Sequence, residues 1–157
     1  MKKLHRCLVA LSIVTVSTVA FAKLTKTEVR KEVQAEAATA TAGIHTACGC
    51  NVKIDVSFGD FDKMKTNAHD DEAKPRYWRD NFVTDIKGAR EAAETLCKDK
   101  DWKKKFCSLK KVTVIGRGAS ETDFKYDPAK GAEIYTSEQM CSGGSLITDR
   151  MKSALDQ

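Results

Sequence analysis

Five of the chain's six cysteines follow its first 22 residues, and they restrict the fold more than any other feature. Cys48 and Cys50 flank a single glycine, Cys97 closes the strongest helical pattern, Cys107 comes ten residues later, and Cys141 stands near the C-terminus. Whether they bond depends on the compartment. Lys2, Lys3 and Arg6 precede an apolar stretch from Leu8 to Val19, and Ala20-Phe21-Ala22 offers the small residues that a signal peptidase needs. Residues 1–22 therefore read as a secretory signal peptide cleaved between Ala22 and Lys23. The stretch covers about a dozen residues, whereas a spanning helix needs about 20. A periplasmic or secreted protein that does not span the membrane is expected.

In an oxidising compartment, cysteines at ordered positions are expected to pair. A Cys97–Cys107 bond would pin a helix exit to the entry of the next strand, and a Cys50–Cys141 bond would tie the two ends of a sheet together. Cys48 and Cys50 are too close in sequence for an easy bridge to each other. The odd count leaves one thiol over, expected at Cys48, either as a reactive group or as the link in a disulfide-bonded dimer.

Removing the leader also changes the charge. Of 27 Lys/Arg, three lie in the first 22 residues, which hold no acid, so the +5 of the full chain becomes +2 over the remaining 135 residues. That length fits one domain, residues 23–157.

Hydrophobic periodicity supplies the elements. Residues 25–38 carry Val29, Val33 and Ala37 at helical spacing, followed by a small-residue connector through Gly43. Val52, Ile54, Val56 and Phe58 alternate with polar residues as a strand. A polar stretch with the acidic run His69-Asp70-Asp71-Glu72 precedes Pro75, which suits a helix's first turn. That helix runs to about Cys97, with Trp78, Phe82, Ile86, Ala89, Ala93 and Leu96 on one face. A short helical piece over 101–106, a strand over 111–117, a hairpin around Asp127–Gly131, and a final helix opened by Ser142-Gly143-Gly144-Ser145 complete the chain. The order α-β-α-β-β-β-α predicts an α+β fold: a sheet of about four strands, mostly antiparallel, with helices on one face.

Two constellations carry chemistry. His45, Cys48 and Cys50 group an imidazole with two soft thiol donors, a set that suits Cu(I) or Zn(II) or thiol exchange. Structural zinc sites space their cysteines more widely and need a second ligand cluster, so no cofactor is expected, and metal or thiol handling is the alternative reading. The segment 98–111 holds seven lysines against two aspartates, a net +5, with Trp102 and Phe106 interleaved. Its Lys98, Lys100, Trp102, Lys103, Lys104, Lys105, Lys110 and Lys111 are candidate contacts for an acidic envelope component or protein. Export argues against nucleic acid. With only two histidines after the leader and no glycine-flanked serine, no catalytic set emerges. The chain is expected to be a non-catalytic binding or interaction protein.

Overall fold

In the computed structural model, the described residues are 24–64, 73–117, 123–127, 131–136 and 144–156. Of the six cysteines, Cys7 and Cys141 fall outside them, as do the expected signal peptide at 1–22, the acidic run 69–72 and the expected hairpin turn at 128–130.

The first helix, α1 (Lys26–Cys48), begins at a capping box: the Thr25 hydroxyl accepts from the Glu28 N–H, and the Glu28 carboxylate accepts from the Thr25 N–H at 2.7 Å. It does not stop near residue 38. The small residues expected to form a connector continue the helix, because alanine has the highest helix propensity and the buried stripe persists through Ala37, Ala40, Ile44 and Cys48. Gly49, in the left-handed region at φ 67°, ends it.

Strand β1 (Lys53–Ser57) follows, and then a short helix, α2 (Gly59–Lys63), within the stretch expected to be only polar. Phe61 on α2 is fully buried and joins Phe58, Trp78 and Phe82 in an aromatic cluster with ring centroids 5.4–6.4 Å apart. Helix α3 (Ala73–Leu96) is the expected long amphipathic helix and packs against both α1 and the final helix. Helix α4 (Lys100–Cys107) starts at Asp99, whose carboxylate accepts from the Asp101 and Trp102 N–H groups. Strands β2 (Lys111–Gly116), β3 (Asp123–Asp127) and β4 (Gly131–Thr136) and helix α5 (Gly144–Leu155) complete the described chain.

The fold is α+β: the described residues form five helices and one four-stranded sheet in the order β1-β2-β4-β3. The sheet is mixed. Strands β3 and β4 form the expected antiparallel hairpin pair, but β1–β2 and β2–β4 are parallel, so the sheet is not mostly antiparallel. For β1–β2 the reason is the length of the connection. Three helices intervene, and the crossover returns the chain to the starting end of the sheet, which a parallel pair requires. Ile54, Val112 and Ala132 align across one face, as do Val56, Val114, Ile134 and Phe124, and the layer of α1, α3 and α5 covers them. The opposite face carries Asp55, Thr113, Glu133 and Lys125 in one row.

Candidate functional site

The cysteines converge where α1, α3 and α4 end. Cys48, the last residue of α1, bonds Cys97 just beyond α3, with Cα atoms 5.3 Å apart. After the left-handed turn at Gly49, Cys50 bonds Cys107, the last residue of α4, with Cα atoms 5.7 Å apart. The pairing corrects the expected one. Cys97 and Cys107 are not bonded to each other, Cys50 is not bonded to Cys141, and Cys48 is not a leftover thiol. The continuation of α1 to residue 48 decides this, because it carries Cys48 to the end of α3, where it lies buried on the helix–helix seam. All four described cysteines are paired.

Helix α4 divides the basic segment between two faces. Phe106 is fully buried, and Trp102 is half-buried, with the Lys105 ammonium 4.7 Å and the Lys152 ammonium 5.8 Å from its ring centroid. Lys105 also pairs with Asp156. This face docks α4 on α5, so Trp102 and Lys105 serve packing. On the other face, Lys100, Lys103, Lys104 and Cys107 recur at helical spacing and line an open pocket of about 580 Å³ whose far wall is Cys48, Gly49 and Cys50. Asp101 lines the pocket beside them. Lys100, Lys103 and Lys104 are exposed and make no ion pair among the described residues.

The remaining candidates lie elsewhere. Lys98 and Lys110 are exposed outside α4, and Lys111, at the start of β2, is 3.2 Å from the Asp55 carboxylate across the sheet. His45 is exposed on the last turn of α1 and lines a separate open groove of about 450 Å³ with Ala42, Asn51 and Lys53. Cys50 is the element common to both openings. His45 and Cys48 therefore face different surroundings, and Cys48 and Cys50 carry no thiolate while bonded. Among the described residues no group of three His, Cys, Asp or Glu side chains is placed to hold a metal ion.

One feature escaped the sequence reading. Asp85 on α3 is fully buried and accepts a hydrogen bond from the Thr136 hydroxyl at the end of β4, with Asn81 and Thr148 buried as well. Residue 85 lies three positions after Phe82 and four before Ala89, so the helical period already placed it on the inward face; its charge argued otherwise.

Among the described residues no helix is long and apolar enough to cross a membrane, and the two disulfides fit an extracellular or periplasmic setting. No model of a known protein family matches the chain, and no curated protein and no solved structure is significantly similar to it.

Proposed function

We propose that the chain is a small exported binding protein without catalytic function, and that the lysine-lined pocket between α4 and the Cys48-Gly49-Cys50 turn is its contact site. The observation that supports this reading is the grouping of Lys100, Lys103 and Lys104 around one concave opening. Two disulfides hold the helix ends that form its walls, so the three ammonium groups sit on a rigid frame. Such a frame loses little conformational entropy when a ligand binds. Three lysines that make no ion pair among the described residues, against the one lining carboxylate of Asp101, favour a multiply charged anion, and the leader pattern at residues 1–22 supports a ligand outside the cytoplasm. A phosphate-bearing envelope glycan, such as a lipopolysaccharide headgroup, meets both conditions.

The test is titration of the mature protein with lipopolysaccharide at increasing salt. Near an anionic surface each lysine is worth about 1 kcal/mol, so the triple neutralisation K100Q/K103Q/K104Q should weaken binding about 100-fold. The K98E/K110E variant, altered outside the pocket, should bind nearly as well as the unaltered protein. Equal losses from the two variants would assign the attraction to overall charge and remove the pocket from the account.

A further inference from the structure

The two disulfides differ in what surrounds their sulfurs. All but Cys97 line the lysine pocket, but Cys48 is 1% exposed, on the α1 stripe that packs against α3, whereas Cys97, Cys50 and Cys107 are half-buried, so only the Cys50–Cys107 bond has both sulfurs within reach of solvent. Thiol–disulfide exchange needs an attacking thiolate to reach one sulfur while the other departs as a thiolate. At Cys48–Cys97, attack on Cys48 is closed off by burial. Attack on Cys97 would expel Cys48 as a charged sulfur that is almost fully buried, which is unfavourable. At Cys50–Cys107, attack on Cys50 comes from the pocket and expels Cys107 towards it. Lys103 and Lys104 stand four and three positions before Cys107 on the same helix face, where their charge stabilises the departing thiolate.

We infer that Cys50–Cys107 is a thiol-exchange site for small anionic thiols, with Cys48–Cys97 as the permanent bond. The incoming thiolate forms a new S–S bond to Cys50 Sγ as the Cys50–Cys107 bond breaks, and the bonding pair leaves on Cys107 Sγ. A second thiolate then attacks the mixed disulfide, releases the oxidised dimer of the small thiol and leaves Cys50 as a thiolate. Two thiols are oxidised and one protein disulfide is reduced. The fold survives the opening, because Cys48–Cys97 still ties the end of α1 to the end of α3 two residues from Cys50. The inference uses the same pocket as the glycan-binding reading but not its ligand.

The experiment exposes the oxidised protein, with all its cysteines, to reduced glutathione in the absence of glycan. Alkylation with N-ethylmaleimide and peptide mapping then separate Cys141 from the four bonded cysteines. The expected result is a glutathione adduct on Cys50 and alkylation of Cys107 before any label reaches Cys48 or Cys97. The cationic thiol cysteamine should react about tenfold more slowly than glutathione at equal thiolate concentration, and K103E/K104E should abolish that preference. Simultaneous labelling of both pairs, or earlier labelling of Cys48 and Cys97, overturns the inference, as does indifference of the rate to the charge of thiol or pocket. Exchange that persists where lipopolysaccharide fails to bind would retain this inference and discard the glycan reading; the converse would do the opposite.

Discussion

The Thr136 hydroxyl, at the end of β4, donates a hydrogen bond to the Asp85 carboxylate on α3, and both residues are fully buried. This contact joins the helix layer to the sheet by a directional bond. Removing the donor while keeping its shape leaves the carboxylate short of one partner, which costs about 1–3 kcal/mol. Thr136→Val should therefore lower the urea midpoint without changing the slope of the transition, whereas Thr136→Ser should stay close to the unaltered protein. An unchanged midpoint in Thr136→Val would show that the bond contributes nothing net.

The disulfide connectivity makes its own prediction. Cys48 and Cys97 are 49 residues apart, a loop worth about 4 kcal/mol in the chain-entropy account. With that bond closed, Cys50 and Cys107 enclose only a short effective loop, worth about 3 kcal/mol. Replacing Cys97 and Cys107 together by alanine should thus remove both bonds and about 7 kcal/mol. If those two cysteines were bonded to each other, the same double replacement would remove one bond and about 3 kcal/mol. Calorimetry of this variant beside C50A/C107A decides between them.

Two glycines with positive φ should respond differently to the same change. Gly59 has φ 47°, and a Cβ there would lie 2.1 Å from the Gly116 carbonyl oxygen. Gly49 has φ 67°, with nothing within 4 Å of such a Cβ. Gly49→Ala should cost about 1–2 kcal/mol, the price of the left-handed conformation alone. Gly59→Ala must also push β2 away from the β1–α2 junction, and a loss above about 3 kcal/mol, or failure to fold, is expected. Comparable unfolding midpoints for the two variants would contradict the close approach.

The start of α1 should loosen in acid. Hydrogen bonds from the Thr25 backbone and hydroxyl hold the Glu28 carboxyl below its ordinary value of 4.5. A depressed folded-state value means that the stabilisation is complete above the unfolded value and fades as the pH falls through the folded one. Amide exchange at the first turn of α1 should therefore accelerate below about pH 4.5 relative to the rest of the helix. Glu28→Gln should flatten that dependence; persistence of the full effect in the variant would point to another group.

Local patterns determined much of this protein. The alternation of Val52, Ile54 and Val56, the inward face from Trp78 to Leu96, and the Thr25–Glu28 start are properties of residues near one another in the chain, where period and propensity act directly. The α+β class and the one-sided helix layer follow from their order. The grouping of lysines over 98–111 was legible as a charge, although not as a pocket.

Tertiary structure decided the rest. Cys50 could pair with several partners by sequence spacing; it meets Cys107 because α1 runs to Cys48, turns at Gly49 and lands beside the end of α4. The parallel β1–β2 pairing depends on a crossover through three helices, and the parallel β2–β4 pairing on β3 taking the sheet edge, which no local pattern encodes. Only the docking of α4 on α5 separates Trp102 and Lys105, which pack, from Lys100, Lys103 and Lys104, which remain open to a ligand. Sequence periodicity reports which face of an element is apolar, but long-range packing selects the element that face meets.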